Sequence, residues 1–175
     1  MSHLVMRRPD LRDLAPVPPM PAGYVLRPYA GEADLAGLAE TLAAAFAEAW
    51  PEERVRRSLT EAADVDAVFV VAVEGRPVAT ASSNHRPGQF PGAGVVHWVG
   101  THPAHRGRGL GSALVARVLQ HFVALGDGHA ALETDDERLP AIRSYLRHGF
   151  LPVYDPNGED HRDRWSAVVR AAFGG

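Results

Sequence analysis

The stretch HPAHRGRGLGSALVARVLQHF, running from His102 to Phe122, decides how the rest of the chain is read. Its first half carries two guanidinium groups, Arg106 and Arg108, among Gly107, Gly109 and Gly111. Its second half turns apolar at helical spacing, with Leu110, Leu114, Val118, Leu119 and Phe122 on one face and Gly126 as the stop. A helix start leaves about four backbone N–H groups without partners, and its dipole favours anions there. Glycine permits positive φ and a close approach of ligand to backbone. A strand, a glycine turn and a helix in succession therefore aim several N–H groups at one point, which suits a phosphate or pyrophosphate. The plain alternative is a turn that only links strand to helix.

Two common phosphate patterns fail on this stretch. A P-loop needs G-x-x-x-x-G-K-[ST], and no lysine follows these glycines. A dinucleotide fingerprint G-x-G-x-x-G would need its third glycine where Ser112 or Leu114 stands. What fits is R-x-x-G-x-G, from Arg106 to Gly111.

Working outward, GAGVVHWVGTHP reads as a strand ended by Pro103, and HAALET as the strand after the helix. LPAIRSYLRHG is a helix with Pro140 near its start, and FLPVY and RWSAVV read as two closing strands. Upstream, YVLRPY is a short strand. Leu35, Leu38, Leu42 and Phe46 give a helix in which Asp34 would cap or charge the first turn, and Pro51 stops it. EERVRRSLTEAA is a second, more polar helix. AVFVVAVEGRPVATASSNH is a hairpin turning at Glu74–Pro77. The order is β-α-α-β-β-β-α-β-α-β-β. Residues 1–22, with five prolines and no sustained period, read as a flexible N-terminal arm, and residues 23–175 as one domain.

Bulk composition narrows the class. The chain has 175 residues, 46% hydrophobic and 22% charged, which suits one packed domain. With a net charge of −3 and dispersed basic residues, a nucleic-acid surface is not expected. The absence of cysteine excludes a thiol nucleophile and cysteine-ligated metal. No apolar run approaches the roughly 18 to 20 residues of a membrane helix, and no signal peptide opens the chain, so a cytoplasmic location with no membrane partner is expected.

The stretch VGTHPAHRGRGLGSALV resembles the acetyl-CoA-binding motif of the GNAT superfamily of acyl-CoA-dependent N-acetyltransferases. A second stretch, AIRSYLRHGFLPV, is similar to that family's later signature through Ala141, Ile142, Tyr145, Gly149 and Phe150. The element order matches from about Tyr24 to Ala171. The resemblance implies an α/β (α+β) fold: a mixed, mostly antiparallel sheet of six or seven strands, about four flanking helices and splayed central strands. It implies acetyl-CoA as cosubstrate, with the pantetheine arm lying between the splayed strands. Backbone groups of Val99 and Thr101 would then pair with its amides. Backbone amides at Gly107, Gly109, Gly111 and Ser112 would hold the pyrophosphate, with Arg106 and Arg108 as charge partners. Members often pair through their last strands, so a homodimer is implied too.

The same resemblance makes Tyr145 the general acid for the departing thiolate, a role that suits a phenol of pKa near 10. The helix pattern alone allows a tyrosine merely packed on the sheet. His97 and Glu133 are the candidate bases, with Asp135 behind them. By strand parity His97 shares a face with Val95 and Val99, which leaves a buried structural histidine open; Glu133 is otherwise a solvated carboxylate at a strand end. Asp135 and Asp136 would cap the next helix. Arg138 stands where many members carry asparagine, which puts one CoA-orienting contact in question. In the Pro/Gly-rich connection Ser82–Gly94, His85, Arg86, Gln89 and Phe90 are candidate acceptor contacts, with Trp50 as the opposite wall. His97, His102 and His105 lack metal-site spacing, so no metal is expected.

The reaction implied is transfer of an acetyl group from acetyl-CoA to a primary amine by direct attack in a ternary complex, the acceptor being a small molecule. A module of the same fold that senses acyl-CoA without turnover is the alternative. A nucleotide-binding domain of another class is the third, against which the missing lysine and misplaced glycine count.

Overall fold

The computed structural model describes residues 3–174. In chain order the elements are β1 (Leu4–Arg8), β2 (Tyr24–Pro28), α1 (Glu32–Phe46), α2 (Glu52–Val55), β3 (Val65–Val73), β4 (Arg76–His85), β5 (Gly94–Thr101), α3 (Leu110–Leu125), β6 (Ala130–Thr134), α4 (Leu139–Arg147), β7 (Leu151–Val153) and α5 (Arg162–Phe173). Among the described residues the strands form one sheet in the order β2-β3-β4-β5-β6-β1-β7. Every neighbouring pair is antiparallel except β5 with β6. This is the mixed, mostly antiparallel α/β sheet that the resemblance implied.

Each face of the sheet is covered for a reason legible in the helices. The apolar stripe of α3, all five residues buried, packs with Phe69, Val71 and Val96 of one face. Leu35, Leu38 and Leu42 of α1 join Trp50, Val55 and Leu59 over Val68 and Val70 of the other. The β3–β4 hairpin turns on Glu74 and Gly75, both at positive φ, as a two-residue connection requires. Asp34 lies in the first turn of α1, where its charge was expected, but the N-cap is Gly31 and no side chain caps it. Asp34 is buried, pairing with Arg27 at 2.5 and 2.8 Å and accepting the Ala30 N–H at 2.7 Å.

Two expectations are corrected. Leu4–Arg8, assigned to a flexible arm, is an inner strand pairing with β6 and β7, and Leu4 and Met6 are fully buried. (Residues 1 and 2 of that arm lie outside the described residues.) Its partners lie more than a hundred residues away in sequence, so no local period announces them. RWSAVV is part of a helix, not a strand. Trp165, Val168 and Ala172 are its buried residues, spaced at helical period, and the β-branched pair Val168–Val169 suggested a strand only locally.

Candidate active site

Parallel pairing of β5 with β6 covers only Gly94↔Ala130, Val95↔Ala131 and Val96↔Leu132. Beyond it β5 continues to Thr101 and β6 to Thr134 with no pairing between them. The strands splay, and β5 presents backbone groups without a β6 partner. The change coincides with a bulge. Between the pairs Ser82↔His97 and Thr80↔Gly100, β4 has one intervening residue and β5 has two. Trp98 there holds φ +46°, which a bulky residue adopts only under constraint from its surroundings. The bulge also breaks the expected parity. Val95 packs with Val5, Phe90 and Ala131, whereas Val99 packs with the α3 cluster.

A cleft of about 560 Å³ opens from this splay. One end is the glycine loop, where Gly107 and Gly109 both hold φ +76° and a Cβ added at either would meet nothing within 4 Å. Gly109 is the N-cap of α3 and no side chain caps it, an arrangement that suits an anion at the first turn. Of the residues expected to hold the cosubstrate, the cleft brings together Val99, Thr101, Arg106, Gly107, Gly109, Gly111 and Ser112. Arg108 is not among its lining. It turns back, donating to the carbonyls of Ala104 at 3.0 Å and Arg106 at 3.3 Å. The Ser112 hydroxyl lies 2.8 Å from Nε2 of His148.

The other wall is a face of α4, with Pro140, Ala141, Ser144, Tyr145 and Arg147 on the lining. Ser144 and Arg147 are added by the structure; they follow Ala141 at successive three-residue steps, which is the helical spacing that marks one face. Tyr145 is 4% exposed, and burial pushes its phenol pKa up, with Arg138 pulling weakly the other way. On the lining Arg106, Arg138 and Arg147 outnumber the single carboxylate, Glu137, so the lining is positive.

His97, Glu133, His85 and Phe90 do not line the cleft. Glu133 follows the last β5–β6 pair directly, at the root of the splay. It accepts from Gln89 Nε2 at 2.8 Å and lies 3.4 Å from Arg86, which also donates to Asp64 at 3.0 Å. Asn84 donates to Asp64 at 3.2 Å and accepts from Ser82 at 2.7 Å. Phe90 is buried with Val5, Ala93, Val95 and Ala131, where it pins the loop that delivers Arg86 and Gln89. His97 is partly buried, its ring 4.5 Å from that of Trp98. Burial, with Arg86 adding to it, lowers its pKa to about 3, so it is neutral and a feeble proton acceptor. His85 is spanned by two carboxylates, Asp66 at 2.6 Å and Asp127 at 2.9 Å.

Trp50, 4% exposed, stacks edgewise on Trp98 at 4.6 Å, and Phe46 lies 5.6 Å from Trp98. Asp135 and Asp136 do not cap α4: the first pairs with His3 at 2.8 Å and the second with Arg164 at 2.5 Å. His105 Nδ1 meets the Tyr24 hydroxyl at 2.9 Å. Among the described residues no group of three or more His, Cys, Asp or Glu could hold a metal ion. None of their helices is long and apolar enough to cross a membrane.

The profile of the Acetyltransferase (GNAT) family matches residues 35–150, which span both the cleft and the splay. The chain belongs to that family. A mycothiol acetyltransferase from Nocardia farcinica is 32% identical over 160 residues, covering 85% of this chain and 52% of its own. The chain therefore spans about half the length of the curated relatives it matches. The GCN5-related N-acetyltransferase of Sphaerobacter thermophilus superposes with a TM-score of 0.67 at 22% identity, covering 87% of this chain and 50% of its own. The aminoglycoside N-acetyltransferase AAC(6')-Iy, solved in complex with CoA, gives a TM-score of 0.62 at 17% identity over 73% of this chain and 88% of its own. At those identities the two structures speak for the GNAT fold alone.

Proposed function

We propose that this GNAT chain transfers an acetyl group from acetyl-CoA to a primary amine of a small molecule, by direct attack in a ternary complex. The observation that carries it is the continuity of three features. The splayed edge of β5 leads into a cleft; the cleft ends on the uncapped, glycine-led start of α3; Tyr145 stands in its wall. The name mycothiol acetyltransferase, borne by relatives, supports a small-molecule acceptor.

Acetyl-CoA supplies the acetyl group as a thioester. The N–H groups opening α3, with Arg106, would hold its pyrophosphate, and the β5 edge at Val99 and Thr101, unpaired with β6, would take its pantetheine amides. Attack forms the C–N bond and breaks the C–S bond. Tyr145, kept protonated by its burial, gives its proton to the departing sulfur. Of the two candidate bases, Glu133 is the better placed to take the ammonium proton, directly or through water, since it sits at the root of the splay and is held by Gln89 and Arg86. His97, with its pKa near 3, is assigned a packing role beside Trp98. A homodimer through β7, the outermost strand beside β1, is part of the proposal.

The test is thiol release from acetyl-CoA on mixing with a panel of small-molecule amines, with Tyr145→Phe run alongside. Acetylated product whose formation collapses in the variant supports the assignment. Tight acyl-CoA binding without turnover on any amine would favour a sensing module instead.

A further inference from the structure

The guanidinium of Arg138 reaches across the splay. Arg138 is the N-cap of α4 on one side of the splay, yet its Nη2 donates to the carbonyl oxygen of Val99 on β5 at 2.9 Å. Its guanidinium carbon lies 4.8 Å from the ring centre of Phe46, the last residue of α1. The side chain thus bridges three elements across the gap between β5 and β6. Val99 lies beyond the last β5–β6 pair, so its carbonyl has no strand partner there, and Arg138 satisfies it. Arg138 lines the cleft together with Val99 and Tyr145.

We infer that Arg138 sets the affinity for the cosubstrate by competing with it: a latch laid across the pantetheine seat that acyl-CoA must displace. The inference rests on the acyl-CoA reading of the cleft. A carbonyl oxygen has two lone pairs, so the competition is for space as much as for the acceptor. A planar guanidinium held between Val99 and Phe46 occupies the gap through which an extended amide chain would run. The latch is built to open. Among the described residues Arg138 makes no ion pair, in contrast to Arg86, which meets two carboxylates. Swinging it out breaks one hydrogen bond and one ring contact and leaves no buried carboxylate behind. Binding affinity is lowered by the fraction of molecules in which the seat is closed.

The competition is specific to one half of the ligand, which makes it testable. Calorimetric titration would compare desulfo-CoA with adenosine 3′,5′-bisphosphate, which lacks the pantetheine arm, on the wild type, Arg138→Ala and Arg138→Lys. The latch predicts that Arg138→Ala binds desulfo-CoA about three- to tenfold more tightly, in line with a lost charge-assisted hydrogen bond. Binding of the bisphosphate should stay within about twofold, because its seat is the loop at the far end. Arg138→Lys keeps a charge and a donor but loses the planar stack, and should fall between the two. Weaker binding of both ligands to Arg138→Ala would make Arg138 an attractive contact and overturn the latch. Unchanged affinity for desulfo-CoA in both variants would overturn it equally. Failure of the wild type and both variants to bind desulfo-CoA would remove the acyl-CoA reading itself, and the latch with it.

Discussion

The two sides of the splay are built in opposite ways. The cleft side is made of backbone: an open strand edge, two glycines at positive φ and the uncapped start of α3, with arginines spaced around them. The other side, proposed above for the acceptor, is made of side chains tied to one another, Glu133 to Gln89 and Arg86, Arg86 to Asp64, Asp64 to Asn84. Backbone geometry suits a ligand part that is the same in every acyl-CoA. A side-chain network suits an acceptor that differs between members of the family. The contrast predicts that changes on the two sides separate cosubstrate binding from the chemical step.

Removing the anchor of the acceptor side should have the largest effect. Phe90→Ala vacates a buried site among Val5, Ala93, Val95 and Ala131 and should cost about 3 to 5 kcal/mol of stability by chemical denaturation. It also frees Arg86 and Gln89 from Glu133. If the melting profile were unchanged, Phe90 would not be the pin of this loop.

Next come Tyr145 and Glu133, the two residues proposed to give and take the proton. Tyr145→Phe and Glu133→Gln should each lower kcat about a hundredfold while the Kd for acetyl-CoA stays within about twofold. A comparable loss in affinity would show that the two sides do not divide the work.

On the cleft side, Gly109→Ala forces a Cβ onto a residue at φ +76°, a strain of about 1 to 2 kcal/mol. Its Kd for desulfo-CoA should rise about tenfold with the acceptor KM little changed. Equal weakening of both would mean that the loop positions more than the phosphates.

The smallest effect concerns pH. Burial lowers the affinity of His85 for its proton, but Asp66 and Asp127 outweigh that and raise its pKa above 6.5. A group with a raised folded pKa stabilises most below its unfolded value, and that stability is lost as pH rises through the folded one. The gap in Tm between wild type and His85→Asn should therefore be widest near pH 5, below the unfolded pKa, and narrow as pH rises through the raised folded one. A gap that widened with rising pH would contradict the doubly bonded imidazolium.

Legibility in the sequence follows the same division. The cleft could be read because its determinants are local: consecutive residues from Arg106 to Ser112, and Ala141 and Tyr145 one helical turn apart on α4. The acceptor side resisted because its contacts join residues such as Arg86 and Glu133 through the fold. Phe90 looked like a loop aromatic and is a core residue. Strict alternation put Val99 with Val95, and a single bulged residue, Trp98, moved it to the other face. The reach of Arg138 to Val99 and Phe46 has no local signal, because it depends on where α4 begins relative to the splay.

The central claim is that backbone at the splay and at the start of α3 forms a seat for acyl-CoA. Calorimetric titration of the wild-type chain with acetyl-CoA, beside desulfo-CoA and ATP, tests it most directly. Micromolar binding of the two CoA species with none for ATP is the result expected. No heat and no thermal shift with either CoA species would contradict it.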